Sequence, residues 1–488
     1  MVQPQEANLS SDVVFAMRMR FRESPSENAA INTLAELIEM AKDVENIDDD
    51  LWPEMRNFLV DLLKQVPLDH MFSIYHATLF DAVQLCPPEI VDFLVDEYLM
   101  NDKQLSQLYL RTDASAVAIA MIRRIKQECS ENIFKLLAPS ILNPDVRRVL
   151  MTYLRGEEAN TAGHRMGYID IVLASFAEVE HLDTNVVNDL MKVTMDYYED
   201  SRDPLLRIGM LVSLEGTAAQ APNFVKFLDA HGYIAMFENV LDRAKNNPDG
   251  INDYDDMLYF FAVMATSAPE LIPKFEGFIK GMFDKIKFFD YLDAQDRVVV
   301  FDRLFTCIAS TEAKREMDKI VIEGRQLMQT AMQKVCVNLA TLNFDQRIRL
   351  LEGLAVAFSN AEPSDSNILE GWFNSFDNGM VPAIVHYMNT VESQQSMAAM
   401  KLASAMLDYD WAYAPFFEVD RFMEFLLDRD IRTDTSDAKQ MKYDLIKKIV
   451  DKNSPAVAAQ KESLEVYLKQ GVYHSEKSSV PAVAFENQ

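Results

Sequence analysis

The residues that could bind a metal or move a proton do not converge in this sequence. Its seven histidines, His70, His76, His164, His181, His231, His386 and His474, are scattered along 488 residues. The best metal candidate is Glu178 with His181, an i, i+3 pair that would share one helical face. A carboxylate-bridged di-iron site needs two such pairs on different helices, with further glutamates beside them. No second Glu-x-x-His occurs, so the pair reads as a solvated helix face. The acidic run Asp43-Val44-Glu45-Asn46-Ile47-Asp48-Asp49-Asp50 lacks the spacing and the glycine of a calcium-binding EF-hand loop and reads as an exposed loop. There is no GxGxxG, GxxxxGK[ST], GxSxG or HExxH, which removes the common phosphate cradles, the nucleophile elbow and the zincin helix. Carboxylates are so numerous, 76 in all, that no general acid–base pair can be singled out. No catalytic, cofactor-binding or metal-ligating residue is nominated, and no contact residue stands out. The expectation is a protein that is not an enzyme and carries no cofactor.

Two Gly-x-x-x-Gly patterns, Gly163/Gly167 and Gly277/Gly281, fit close helix packing. Cys86, Cys129, Cys307 and Cys336 include no CxxC pair and read as small core residues in a reducing compartment. Basic clusters are few. Met17-Arg18-Met19-Arg20-Phe21-Arg22 alternates like a strand or a partner-binding arm, with a solvated helix start as the simpler reading. Arg123-Arg124-Ile125-Lys126 follows an apolar run, where cations suit the carbonyl end of a helix.

Charge excludes whole classes of partner. With 47 basic and 76 acidic residues the net charge is −29. A nucleic-acid backbone or an anionic membrane would be repelled over most of such a surface, whereas a basic protein surface would be attracted. Simple solvation explains the same charge equally well. The N-terminus begins Met1-Val2-Gln3-Pro4 without an apolar signal core, and apolar runs such as Ala116 to Ile122 are too short for a membrane span. The expected compartment is the cytosol, or cytosol and nucleus, and no small-molecule substrate is expected.

The elements that carry these residues are helical. Glycine is scarce, 14 in 488, while methionine reaches 27. Sheets and tight hairpins draw on glycine for positive φ, and helix interiors do not. An apolar helix recurs from Leu205, Met257, Val298, Ile348, Ala398 and Tyr443, at spacings of 52, 41, 50, 50 and 45 residues. HEAT and armadillo units repeat every ~40–47 residues. Ala398, Leu402, Ala405 and Tyr409 fall on one helical face. Shorter amphipathic helices follow several of them, as in Phe275, Phe278, Ile279, Met282 and Ile286, and such pairs bury their apolar faces only by stacking on neighbours. Asp203-Pro204 predicts a capped helix start, and Asn343 with Gln346 predicts a capping box. Asn246 to Gly250 and Glu362 to Ser366 predict turns between units. The first half is helical too, over Leu34 to Met40, Met71 to Leu85, Ala114 to Ile125, Val146 to Leu154 and Met166 to Val179, without a fixed period. The expectation is an all-α, HEAT/armadillo-like helical-repeat solenoid. It comprises an N-terminal arm over 1–22, one solenoid over 23–470 with repeats clearest from 203 onward, and a mobile tail over 471–488.

One stretch is more specific. Ala399-Met400-Lys401-Leu402, Trp411-Ala412, Phe422 to Arg429, Asp437-Ala438-Lys439, Lys442 to Lys447, Tyr467-Leu468 and Gly471-Val472-Tyr473 stand in an order and at distances that resemble the 26S proteasome non-ATPase regulatory subunit 5 family. A weaker likeness runs back through Gly371-Trp372-Phe373 to about Asp203. The resemblance implies an assembly chaperone for the base of the proteasome 19S regulatory particle. Such a chaperone binds the C-terminal domain of one ATPase subunit and prevents premature docking on the core particle. The competing expectation is a general armadillo-type scaffold or adaptor. An importin-like groove repeats Trp-x-x-x-Asn, and here Trp52, Trp372 and Trp411 are the three tryptophans, none followed by Asn at that spacing. Trp411, Phe422, Phe425 and Tyr443 sit in apolar helical segments and are expected in the core of the last repeats.

Overall fold

The computed structural model describes residues 9–42, 44–125, 129–156, 162–201, 203–245, 251–359, 362–429 and 435–473. The chain divides into two compact units, Met1–Tyr233 and Ile234–Gln488. Both are built from helices, as the shortage of glycine and the 3.6-residue periodicity require.

In the first unit α1 (Ser11–Glu23), α2 (Glu27–Ala41) and α3 (Trp52–Leu63) pack on one another. The segment read as an arm, 1–22, is thus a packed helix over its described part from Ser11. Val14, Met17 and Phe21 are buried, while Arg18 and Arg22 reach Asp61 of α3 at 2.7 and 3.1 Å. The Met-Arg alternation misleads because Met17 and Phe21, four residues apart, share one buried helical face, whereas Met19 is exposed. α4 (His76–Leu85), α5 (Ser115–Arg123), α6 (Pro144–Arg155) and α8 (Thr184–Asp200) continue from α2 as a ladder of neighbours. α7 (Ala162–Glu178) packs against α9 (Pro204–Gln220). Four of the five stretches expected to be helical in this half each lie in or largely in one helix, while Met71 to Leu85 is broken at Ile74-Tyr75 into Leu68–Ser73 and α4, and Asp203 caps α9 by accepting from the Leu205 and Leu206 amides.

In the second unit α10 (Ile251–Ser267), α11 (Ala294–Cys307), α12 (Phe344–Phe358), α13 (Ser393–Met406) and α15 (Ser436–Lys452) stack in sequence. These helices contain Met257, Val298, Ile348, Ala398 and Tyr443, the predicted repeat starts, and Leu205 lies in α9. α14 (Asp420–Leu427) and α16 (Lys461–Gln470) close the last repeat. Asn343 and Gln346 form the expected capping box at the start of α12.

The stack is held by repeat-to-repeat contacts of apolar side chains. Gly353 of α12 is a point of close approach. A Cβ there would stand 2.1 Å from the Phe305 ring of α11. Gly167 and Gly281 serve the same purpose: a Cβ would meet Ile125 at 2.4 Å and the Tyr254 hydroxyl at 2.4 Å respectively. The close-packing reading of the Gly-x-x-x-Gly patterns holds at these positions.

Two features depart from expectation. Glu362 to Ser366 is more than a turn: Pro363–Asp365 is a 3-10 turn opening the next helix, and Asp365 is buried. Its carboxylate takes a two-point contact from Arg315, at 2.7 and 2.9 Å, with Glu362 adding a third at 2.6 Å. A short hairpin, β1 (Val321–Ile322) and β2 (Arg325–Gln326), turns through Glu323 and Gly324, both at positive φ. Asn246 to Gly250 and most of the predicted tail, from His474, lie outside the described residues. No described helix is long and apolar enough to cross a membrane.

A charged groove across the C-terminal repeats

The residues that drew attention as chemistry stay apart. α7 ends at Glu178, so His181 lies beyond the helix and the shared face is not formed. Glu178 instead pairs with Lys103 and accepts from Gln107 at 3.3 Å. His70 meets Glu27 at 2.9 Å, and His231 approaches the Phe227 carbonyl at 3.0 Å. The side chains of His164 and His474 lie outside the described residues. Among the described residues no three His, Cys, Asp or Glu are grouped to hold a metal. Cys86 and Cys307 are buried, and burial raises both thiols, Cys86 to about 12. A thiol so raised is protonated and inert at neutral pH. Cys129 is half-buried, and the Cys336 side chain lies outside the described residues. Asp48, Asp49 and Asp50 are exposed in a non-helical segment, while Asp43 is not described.

The residues quoted for the family resemblance, by contrast, come together as a clasp that closes the last repeat. Phe422 and Phe425 of α14 are fully buried. Arg429, just after α14, donates to the Tyr467, Gly471 and Gln470 oxygens at 2.8, 2.9 and 2.7 Å, and its guanidinium lies 3.3 Å from the Tyr467 ring centre. It therefore satisfies carbonyls that the end of α16 leaves open. Lys442 of α15 is wholly buried, donates to the Asp428 carbonyl and stands over the Phe425 and Tyr467 rings at 4.6 and 5.6 Å. Burial pushes its ammonium down to about 7, with Asp428 opposing that change and Arg429 adding to it. Tyr443 donates to the Leu468 carbonyl at 3.3 Å. Trp411 is half-buried, stacks on Tyr409 at 5.3 Å and donates to Ser366 at 3.1 Å. These residues are structural, as their apolar setting indicated.

The solvent face of the same stack forms a groove of about 800 Å³. α12 contributes Glu352, Ala355, Val356 and Ser359, and α13 contributes Lys401, Ser404, Ala405 and Asp408. Both sets run i, i+3, i+4, i+7, one helical face carried past the helix end. α15 repeats the phase with Asp437, Gln440, Met441 and Asp444, extended by Lys448. Stacked helices in register turn the same positions outward, so one face per repeat fuses into a continuous surface.

Ion pairs tie successive helices across this face. Lys401 reaches Glu352 at 3.1 Å, and Lys448 reaches Asp408 at 2.8 Å and the Ser404 carbonyl at 2.9 Å. Exposed pairs of this kind are worth under about 1 kcal/mol each. They fix geometry more than they stabilise. They also use up both lysines of the groove. Its four carboxylates against two lysines leave 2 − 4 = −2, carried by Asp437 and Asp444. Among the described residues those two accept from Ser436 and Gln440, at 3.2 and 3.0 Å. Apolar Val356, Ala405 and Met441 lie between the charges, as in a protein-binding surface with an apolar centre and a charged rim. The sequence carried a signal for this face: polar residues at one helical phase, offset by 49 residues from Glu352 to Lys401 and 36 from Lys401 to Asp437. Apolar periodicity marks the opposite face.

A family model described as proteasome non-ATPase 26S subunit matches residues 30–488. The chain is 22% identical to the 26S proteasome non-ATPase regulatory subunit 5 of Bos taurus over 269 residues, which is 53% of this chain and 51% of that protein. It is 20% identical to the Homo sapiens protein of the same name over 270 residues, again 53% and 51%. The match thus spans about half the length of these relatives. Among solved structures, two of importin beta superpose with TM-scores of 0.52 and 0.53. They share 12% and 11% identity, cover 94% and 93% of this chain, and are themselves covered over 56% and 57%. The likeness is one of fold: an all-α helical-repeat solenoid.

Proposed function

Since the chain belongs to the proteasome non-ATPase 26S subunit family, we propose that it is a non-catalytic assembly chaperone for the base of the proteasome 19S regulatory particle. In this reading it holds the C-terminal domain of one ATPase subunit in the groove of α12, α13 and α15, and the held domain is kept from docking prematurely on the core particle. The protein works in the cytosol, or in cytosol and nucleus.

The observation that supports this surface is the pairing pattern of its charges. Lys401 and Lys448 are neutralised within the stack, and Asp437 and Asp444 are left facing solvent beside Val356 and Met441. Such a face suits a partner that brings lysine or arginine around an apolar centre. The −29 balance of the whole chain steers the same partner from a distance.

The test is a binding series against each isolated ATPase C-terminal domain, run with the wild type and with Asp437→Lys/Asp444→Lys. One domain should bind, and its association should slow as salt rises, because the Debye length falls from ~10 Å at 0.1 M to ~3 Å at 1 M. The double variant should bind at least about tenfold more weakly, a loss of ~1.4 kcal/mol. Binding to none of the domains removes the chaperone reading. Binding to one with no effect of the double variant keeps the chaperone and removes this groove.

A further inference from the structure

The groove is the end of a longer face. Arg349 of α12, one turn before Glu352, reaches back to Asp302 of α11 at 3.6 Å. Three rungs cross the stack in the same sense: Asp302 to Arg349, Glu352 to Lys401, and Asp408 to Lys448, at 3.6, 3.1 and 2.8 Å. In each, the carboxylate belongs to one helix and the cation to the next. A ladder built this way leaves unlike charges at its two ends, because a stacked helix is answered only by its neighbours. Asp437 and Asp444 of α15 are the open carboxylates. The open cation, at the other end, is Arg303 of α11.

Arg303 shares the half-buried side of α11 with Val299, Asp302 and Thr306. Among the described residues it has no ion pair, and its Nε is buried without a hydrogen-bond partner. α10 answers it with a ring in place of a carboxylate: the guanidinium lies 4.2 Å from the centre of Tyr259. Asp255 of α10 is held by Lys285 at 2.7 Å. Burial raises the Asp302 carboxyl, and Arg349 and Arg303 both oppose that rise. Two cations thus share one carboxylate, a local balance of 2 − 1 = +1 in a chain of net charge −29. The Tyr259 ring fixes the plane of the guanidinium while its outer N–H groups stay uncommitted, and that fork suits a carboxylate in two-point contact.

We propose that Arg303 receives a carboxylate of the same protein partner whose cations meet Asp437 and Asp444, so that the partner lies across α11 to α15 in one direction. This rests on the groove's holding a protein partner, and it adds an acid-binding end to that groove. Stacked helices lie ~8–10 Å apart, so the three steps from α11 to α15 separate the two ends by roughly 25–30 Å. The occupant is a protein surface with a carboxylate at that distance from a pair of lysines or arginines, and with apolar side chains between them to lie on Val356 and Met441. A uniformly basic surface would set a like charge against Arg303, and a uniformly acidic one would set like charges against Asp437 and Asp444. The two ends together therefore select the direction of the occupant as well as its chemistry.

The experiment uses the full chain and a fluorescein-labelled, alanine-rich helical peptide, read by fluorescence anisotropy. A glutamate near one end stands about 18 residues, ~27 Å of helix, from the nearer of two lysines, with leucines on the same face between them. Saturable binding is expected. Replacing the glutamate by glutamine should weaken it by about threefold or more, the scale of one exposed ion pair. Arg303→Gln should weaken binding of the glutamate peptide by the same factor and abolish the difference between the two peptides. Asp437→Asn/Asp444→Asn should weaken both peptides and leave that difference in place. The peptide comparison on the wild type needs no variant to fold, and circular dichroism melting checks Arg303→Gln. No saturable binding, equal binding of the two peptides, or a difference that survives Arg303→Gln overturns the proposal. An ATPase domain that binds through Asp437 and Asp444 while the peptides ignore Arg303 removes this end of the site and leaves the chaperone reading. Peptides that read Arg303 while no ATPase domain binds do the reverse.

Discussion

Lys442→Met should make the second unit more stable at pH 6 and less stable at pH 10. Lys442 is wholly buried, and its ammonium is pushed from 10.5 down to about 7. At pH 6 the folded and unfolded chains both hold the proton, and the folded one carries a cation that burial opposes. Between pH 7 and 10.5 the folded chain has released the proton and the unfolded chain has not. Stability therefore rises with pH across that window, by about 1.4 kcal/mol per pH unit, or about 5 kcal/mol in all. The methionine variant lacks this dependence. It also lacks the hydrogen bond to the Asp428 carbonyl, which the neutral amine still makes and which is worth about 1 kcal/mol. The balance at pH 6 is thus about 4 kcal/mol in favour of the variant, and at pH 10, with the cation gone, the lost hydrogen bond leaves it the weaker protein. Urea unfolding followed by tryptophan fluorescence reads this, since Trp372 and Trp411 both lie in that unit. The wild-type curve, subtracted from the variant's at each pH, cancels every other titrating group. A difference that stays constant from pH 6 to pH 10 would refute the reasoning, because it would mean that Lys442 keeps its proton throughout.

Other side chains of the second unit give equally distinct outcomes. Arg315→Ala leaves the buried Asp365 carboxylate without its two-point partner and should lower the urea midpoint clearly; Glu362→Ala, at a carboxylate 62% exposed on the same arginine, should lower it far less. Gly353→Ala drives a methyl group into the Phe305 ring and should cost about 1–3 kcal/mol despite the ~1 kcal/mol gain in helix propensity. Gly371→Ala meets nothing within 4 Å and should show that gain alone, as a raised thermal midpoint.

Much of the fold was legible because helix stacking writes a long-period apolar pattern into the chain. Leu205, Met257, Val298, Ile348, Ala398 and Tyr443 all fall in long helices, and Asn343 with Gln346 announced the start of α12 from their types alone. What stayed hidden depends on tertiary partners. Asp365 looked like a turn residue because its function as an anchor for Arg315 requires a residue 50 positions earlier in the sequence. The hairpin at Val321–Gln326 is too short for alternation to register, and only Glu323-Gly324 marked it. The helix at α1 was the simpler of the readings its alternating arginines allow, and what the sequence could not show is that one of its faces is buried, which α3 decides. The groove was missed for a different reason. Its residues are ordinary exposed side chains, and nothing in one repeat shows that the next repeats the phase.

α15 joins these two kinds of information in one helix. Ala438, Lys442, Leu445, Ile446 and Ile449 point into the stack, while Asp437, Gln440, Asp444 and Lys448 point to the groove. The family resemblance draws on both sets, since Asp437-Ala438-Lys439 and Lys442-Tyr443-Asp444 alternate between them. A resemblance of that kind identifies the repeat without locating its contacts, because the inward residues would be required by any partner or none. The two faces separate in their response to substitution. Changes at Lys442 or Arg429 act on the unfolding of the second unit, and reach a partner only through the population that stays folded. Changes at Asp437 and Asp444 touch no buried group, so they should move an association rate while the unfolding midpoint stays where it was. Because the two faces are one residue apart along α15, neighbouring substitutions of the same helix act on different properties of the protein.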